Sequence, residues 1–250
     1  MTNKPQVIGI IPARLESTRL PQKMLADING KPLIYHTVQQ ALKAEQLDEV
    51  VVATDSEEIT QALLKLEPAV RCIKTSPHHT TGSDRAAEAA KQCANKHDII
   101  LNIQGDEPMI PPEAINHTAQ LLLESDEQTV MSTVATPLRE RHELDDPGIV
   151  KVVLDCYHNA LYFSRSPLPY ERDSYDSYLK HIGLYGYRYQ FLQNYIQLEQ
   201  TPLEKAEKLE QLRALENGYR IKVGIGEYER TEVNTPEELA IVRQKLQKTS

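Results

Sequence analysis

A chain of 250 residues with 40% hydrophobic residues is long enough to bury its own core without staples. Its net charge of -8, with acids and bases mixed along the chain, excludes a general nucleic-acid-binding surface. No apolar run approaches the ~18 residues that a membrane-spanning helix needs, so no membrane insertion is expected.

Met1 to Gln6 lacks the apolar core of a signal peptide, and this predicts a cytoplasmic protein. Cys72, Cys93 and Cys156 show neither a C-x-x-C pair nor a metal-ligand spacing, so free thiols are expected. The first element is an apolar run, Val7 to Ile11, which reads as a strand. It changes at Pro12 into a loop carrying Arg14, Arg19 and Lys23. Asn29-Gly30 is a turn signal, and Pro32 opens a helix with Leu33, Val38, Ala41 and Leu42 on its apolar face. Asp48 to Asp55 predicts a strand, and Ile59, Leu63 and Leu64 a helix after it. Val70 to Lys74 is a further strand, a polar loop runs from Thr75 to Ser83, and a helix is expected from Asp84 to Cys93. The stretch Asp98 to Pro108 carries a strand ending in Gln104, Asp106 and Glu107, and Pro112 to Glu124 a helix. This alternation predicts right-handed βαβ units and a mostly parallel sheet.

Beyond Pro137 the expected strands are shorter and more aromatic: Val150 to Leu154, Ala160 to Ser164 and Gly183 to Arg188. A helix is expected near Gln190 to Leu198. Thr201-Pro-Leu-Glu204 is a capping box opening one helix through Leu209, Leu212 and Leu215, which stops at Asn217-Gly218. A strand at Ile221 to Ile225 comes next, and a second Thr-Pro cap at Thr235-Pro236 starts the C-terminal helix. The expected fold is therefore α/β, a single three-layer α/β/α domain with a mostly parallel, Rossmann-like central sheet. A smaller mixed-sheet portion is expected to serve as a lid or dimerisation surface. The single domain is expected to divide into parts at residues 1–136 and 137–250.

Three loops fall at the carboxyl ends of predicted parallel strands, where α/β sheets bind ligands. Arg14, Arg19 and Lys23 suit the oxygens of a polyphosphate. Asp106 offers a hard carboxylate to Mg²⁺, which takes one or two protein carboxylates and completes its shell with phosphate and water. Gly82, at a helix start before Ser83 and Arg85, lets backbone approach a base or ribose. Neither G-x-G-x-x-G after the first strand nor G-x-x-x-x-G-K-[ST] is present, which removes dinucleotide oxidoreductases and P-loop phosphotransferases.

The segments Ile11-Pro-Ala-Arg14, Ser17-Thr-Arg-Leu-Pro-Gln-Lys23, Asp27-Ile-Asn-Gly-Lys-Pro32, Val52-Ala-Thr-Asp55 and Gly82-Ser-Asp-Arg85 occur in order. Asn102-Ile-Gln-Gly-Asp-Glu-Pro108, Ala160-Leu-Tyr-Phe-Ser-Arg165, His181-Ile-Gly-Leu-Tyr-Gly-Tyr187 and Leu209-Glu-Gln-Leu-Arg213 continue the series. Together they resemble the 3-deoxy-manno-octulosonate cytidylyltransferases over nearly the whole chain. The resemblance implies transfer of CMP from CTP to the 2-hydroxyl of a 3-deoxy-octulosonic acid, with release of diphosphate, for lipopolysaccharide biosynthesis. It implies a CTP site of Pro12, Ala13, Arg14, Arg19, Lys23, Gly82, Ser83, Arg85 and Asp106, with Arg14, Lys23 and Asp106 catalytic. It also implies a sugar site of Gln104, Arg165, His181, Tyr185, Glu210 and Gln211, and a homodimer, with residues 1–136 as the nucleotide-binding part and 137–250 as the sugar-binding and dimerisation part.

One position departs from the family pattern. Where the family reads V-D-T-P-E-D, this chain reads Val233-Asn-Thr-Pro-Glu-Glu238. The resemblance makes Asp106 and Asn234 the Mg²⁺ ligands, and an amide oxygen lacks the charge a hard dication prefers. A weaker metal site, a slowed enzyme and a CTP-binding paralogue with impaired catalysis all fit this change, with Glu232 placed to compensate. The 8-amino analogue of the sugar stays open as substrate. A glycosyltransferase of similar sheet architecture is disfavoured by the intact trio of cations.

Overall fold

The computed structural model describes residues 5–17, 19–95, 98–229 and 231–248. Met1 to Lys4, and Thr18 of the basic loop, lie outside the described residues. The first half alternates as β1 (Val7–Ala13), the short hairpin β2 (Asp27–Ile28) and β3 (Lys31–Pro32), α1 (Leu33–Leu42), β4 (Glu49–Thr54) and α2 (Glu57–Leu64). It continues through β5 (Arg71–Lys74), α3 (Gly82–Cys93), β6 (Ile99–Asn102) and α4 (Pro112–Leu123). The second half holds β7 (Thr129–Pro137), α5 (Arg141–Asp145), β8 (Lys151–Leu154), β9 (Ala160–Ser164) and β10 (Leu179–Arg188). After these come α6 (Tyr189–Tyr195), α7 (Pro202–Glu207), α8 (Gln211–Glu216), β11 (Arg220–Ile225) and α9 (Pro236–Lys248).

Seven strands form one path in the order β11-β7-β10-β6-β1-β4-β5, with β8 joined to β10 and β9 to β8. Pairs β1·β4, β1·β6, β4·β5 and β11·β7 are parallel, and β10 runs against both β6 and β7. The sheet is mostly parallel with helices on both faces, as expected. Alternation along β1 shows why it is buried on both sides. Val7 and Ile11 enter the core under α1, α2, α4 and α9. Ile8 and Ile10 enter the opposite core, with Ala86, Ala90, Leu192 and Leu212. From β1 the chain moves out through β4 to β5 and returns on the other side of β1 as β6. The crevice outside the carboxyl ends of β1 and β6 is thus a topological switch point.

Several sequence expectations are corrected. Leu42 and Leu64 are exposed rather than on the apolar faces of α1 and α2, and Ile34 is buried instead. The mixed-sheet second half is present as expected: β7, β10 and β11 extend the central sheet, and β8 and β9 join it antiparallel. Strand β7 was not expected, and β10 begins at Leu179 instead of Gly183. The capping box at Thr201 is present, but its helix breaks at Lys208, whose φ of 55° is left-handed, so α7 and α8 are separate. The Asn29-Gly30 turn is as expected, with φ of 53° and 84°, the signs of a tight hairpin turn.

Candidate active site

The basic loop leaves β1 directly, so Arg14, Arg19 and Lys23 surround the switch-point crevice. The opposite wall comes from the turn after β6. A Cβ on Gly105 would stand 2.7 Å from the Pro12 carbonyl oxygen, so only glycine lets this turn pass so close to the end of β1. The hydroxyl of Thr37 donates to Gly105 O at 2.9 Å and holds the turn from α1. Asp106 is thereby fixed with its carboxylate 2.6 Å from Lys23 Nζ.

The third wall is the segment between β11 and α9. Val233 N donates to Asp106 O at 2.9 Å, and the cap of α9 orients Asn234. Glu238 Oε2 accepts from Asn234 N at 2.6 Å and from Thr235 N at 2.9 Å, while Glu238 N donates to Thr235 Oγ1. Asn234 Oδ1 then accepts from Lys23 Nζ at 3.1 Å and from Arg19 Nη2 at 2.9 Å. Its Nδ2 donates to Glu232 Oε1 at 2.5 Å. Asp106 and Asn234 therefore present two oxygens to one ammonium.

These walls enclose a cavity of about 400 Å³, also lined by Pro12, Ala13, His79, Thr80, Thr81, Gly82, Arg85 and Gln104. Helix α3 begins at Gly82, two residues earlier than expected, with Thr81 Oγ1 accepting from Asp84 N as its cap. Arg85 is 3% exposed and is not a free cation. Its Nη1 donates to Thr75 Oγ1 at 2.6 Å and its Nη2 reaches Asp55 Oδ2 at 3.3 Å. Ser83 is buried beside the Asn102 amide and the Tyr187 hydroxyl, each 3.5 Å away.

The expected sugar residues fall into three groups. Gln104 lines the 400 Å³ cavity. Arg165 and His181 line a second cavity of about 970 Å³, which meets the first at Arg19, Glu232 and Asn234. Arg165 is held by Glu207 O and Pro147 O, both at 2.8 Å, and the ring of His181 shares a 2.8 Å hydrogen bond with Thr133 Oγ1. Tyr185 donates to Gln211 Oε1 at 3.1 Å beside Glu210. Ring contact between His181 and Tyr185, centroids 5.4 Å apart, connects the last two groups. Burial raises the carboxyl pKa of Glu210 above its ordinary value, with the Ser83 hydroxyl opposing. Gln211 Nε2 and Asn102 Oδ1 are buried with no hydrogen-bond partner, so this corner keeps unused donors and acceptors.

Sequence reasoning did not assign the acids that position these residues: Asp55 pairs with the Arg85 guanidinium, Glu88 holds the His79 ring, and the Glu207 carboxylate accepts from the Arg165 main-chain N. Of these only Asp55, ending a predicted strand, carried a visible signal.

Residues 8–222 match the Cytidylyltransferase family. The chain is 50% identical over 250 residues to a protein of Polynucleobacter necessarius subsp. necessarius named 3-deoxy-manno-octulosonate cytidylyltransferase, covering 97% of this chain and 96% of that one. This chain belongs to that family. A family member from Chlorobium limicola is 47% identical, with 96% of this chain and 97% of that one covered. Among solved structures, CMP:2-keto-3-deoxy-manno-octonic acid synthetase complexed with CTP superimposes with a TM-score of 0.91 at 38% identity, over 98% of this chain and all of that one. A 4-diphosphocytidyl-2C-methyl-D-erythritol synthase, 16% identical with a TM-score of 0.67, shares the fold.

Proposed function

We infer that this chain transfers CMP from CTP to the 2-hydroxyl of 3-deoxy-manno-octulosonate. The new bond joins the sugar oxygen to the α-phosphorus, the bond to the β-phosphate oxygen breaks, and diphosphate leaves. Product is the activated sugar used in lipopolysaccharide biosynthesis. The observation that carries this reading is the Lys23 ammonium shared between Asp106 and Asn234 at the mouth of a crevice also lined by Arg14 and Arg19.

Arg14, Arg19 and Lys23 bind the triphosphate and neutralise the charge that gathers on the departing diphosphate. Little covalent work falls to the protein, so the rate comes from positioning and charge. Pro12, Ala13, Gly82, Ser83 and Arg85 shape the nucleoside pocket. Arg165 meets the sugar carboxylate, and Gln104, His181, Tyr185, Glu210 and Gln211 meet its hydroxyls. Residues 1–136 supply most of the nucleotide site and 137–250 most of the sugar site, with Glu232 and Asn234 crossing between them.

Mg²⁺ belongs to this reading, and the donor chemistry fits it. Asp106 and Asn234 already direct two oxygens at one cation, and phosphate oxygens and water complete the shell of a hard dication. Bound there, the ion would withdraw charge from the phosphate oxygens. Asp106 and Asn234 would hold it, with Glu232 behind the amide.

Among the described residues no helix is long and apolar enough to cross a membrane. Cys72, Cys93 and Cys156 are free thiols, in keeping with the cytoplasmic placement that is part of the proposal. A homodimer is also part of it. Exposed Tyr157, Leu161 and Tyr170 in the second half supply apolar surface for a partner copy.

Diphosphate release, measured across nucleoside triphosphates and sugar acids with Mg²⁺ varied, tests the whole reading. CTP with 3-deoxy-manno-octulosonate is expected to give the fastest release. No release above background at any Mg²⁺ concentration would overturn it, and faster release with the 8-amino sugar would move the substrate assignment to that analogue.

A further inference from the structure

The 400 Å³ cavity has two ends of different electrical character. One end holds Arg14, Arg19 and Lys23, with Asp106 and Asn234 opposite. The other is lined by His79, Thr80, Thr81, Gly82 and Arg85, and here Arg85 and His79 each have a carboxylate partner. Arg85 is backed by Asp55. The His79 ring nitrogen Nε2 meets Glu88 Oε2 in a short contact. Glu88 lies in α3, and its same oxygen accepts from Ser76 N at 2.8 Å, so the carboxylate fixes both the imidazole and the loop that carries it. Burial works against the charged form of Glu88, yet the bonds from Ser76 and His79 hold its pKa below the ordinary value.

The guanidinium that lines this end, Arg85, is already paired with Asp55, and His79 is already held by Glu88, so neither stands open to a phosphate as the cations of the basic loop do. A triphosphate gains nothing there relative to the opposite end, whereas a ribose and a pyrimidine, which are neutral and rich in donors and acceptors, suit it. His79 spends Nε2 on Glu88 and keeps Nδ1, and the ring forms part of the cavity wall. A histidine whose far nitrogen is pinned by a carboxylate is held in one orientation and one tautomer, the arrangement that gives imidazole groups directional specificity.

We propose that His79, oriented by Glu88, is a nucleoside-reading residue of this site and hydrogen-bonds the ribose-pyrimidine half of the bound nucleotide. This rests on CTP as the nucleotide. The role is distinct from that of the basic loop: His79 selects what the phosphates are attached to, and Glu88 is a positioning residue acting through it.

The test compares two ligands by calorimetric titration in the absence of sugar acid, so that no turnover occurs. His79→Ala is expected to raise the CTP dissociation constant about tenfold, the scale of one hydrogen bond to a charge-backed group, while inorganic tripolyphosphate binds as it does to the parent. Glu88→Gln, which keeps the shape but loses the charge, is expected to shift CTP in the same direction by less. In steady state the KM for CTP rises and the KM for the sugar acid stays. Unchanged CTP affinity in His79→Ala, or an equal loss for CTP and tripolyphosphate, overturns the proposal while leaving CTP use intact. Failure of the parent protein to bind CTP overturns the function reading as well.

Discussion

Two cation-carboxylate pairs in this molecule have nearly the same length and opposite purposes. Lys23 and Asp106 meet at 2.6 Å, with side chains 9% and 18% exposed. Arg213 and Glu204 also meet at 2.6 Å, with side chains 7% and 3% exposed. The second pair is closed on itself. Arg213 Nε donates to the other Glu204 oxygen at 2.8 Å, Nη1 reaches Tyr195 O, and the guanidinium stands 4.9 Å from the Tyr195 ring centroid. Lys23 instead faces a cavity, and its partners Asp106 and Asn234 are groups that a substrate complex would draw on. A buried pair whose partners are all internal holds shape, while one that opens on a cavity holds charge ready for a ligand.

The largest effect expected from that contrast is on stability. Arg213→Ala leaves Glu204 buried without its partner, a loss of ~3–5 kcal/mol for a pair broken on one side. The thermal unfolding midpoint should fall by roughly 10 °C. An unchanged midpoint would mean that the pair contributes little to the fold.

Lys23→Ala should do the reverse. Diphosphate release is expected to fall ~10²–10³-fold, the scale for removing one charge-stabilising donor, while the unfolding midpoint moves little. A drop in stability matching that of Arg213→Ala would erase the distinction between the two pairs.

Asn234→Asp sharpens the comparison on the cavity side. It restores a second carboxylate opposite Asp106, and the Mg²⁺ concentration for half-maximal rate should fall by about tenfold, because affinity for a hard dication follows ligand charge. The new acid also stands beside Glu232 and loses the Nδ2 donor, so without Mg²⁺ the protein should unfold at a lower temperature than the parent. An identical Mg²⁺ titration for parent and variant would remove Asn234 from the metal site.

The smallest effect belongs to Glu210. Its folded pKa lies above the unfolded value because of burial. Well below the ordinary carboxylate range both states are protonated, and the group contributes no pH dependence. As pH rises from the unfolded value through the folded one, the folded state holds the proton that the unfolded state has released. Stability from this group therefore falls across that window. Glu210→Gln should gain midpoint relative to the parent as the pH rises above the ordinary carboxylate value, a gain read from parallel thermal melts. A flat difference would show that the carboxylate is as well accommodated as the acid.

How legible these features were from sequence depended on whether the signal was local. The alternation from β1 to α4 is written in apolar periodicity, and the cations of the basic loop stand together in the chain. Strand β7 was hidden because Ser132 and Thr133 lie in its centre. Both are buried with their hydroxyls on main-chain carbonyls, Ser132 on Thr118 O at 2.8 Å and Thr133 on Leu184 O at 2.6 Å, so a core strand reads as polar. The break between α7 and α8 falls at a lysine, a residue with no special preference for left-handed backbone. In the site the cations were legible and their backing acids were not. Glu88 looks like one more solvated position of α3 until the fold brings the His79 loop against it.

The contact between Arg19 and Asn234 spans 215 positions, and Lys23 to Asn234 spans 211. This wall of the crevice therefore joins the first strand's loop to the last helix, and it exists only once both ends of the chain have been made. The consequence reaches protein synthesis. While the ribosome still holds the segment before α9, the emerging chain has its basic loop and Asp106 but neither Asn234 nor the Glu238 cap that aims it. The wall that Asn234 forms beside Lys23 is therefore complete only when the last helix is in place.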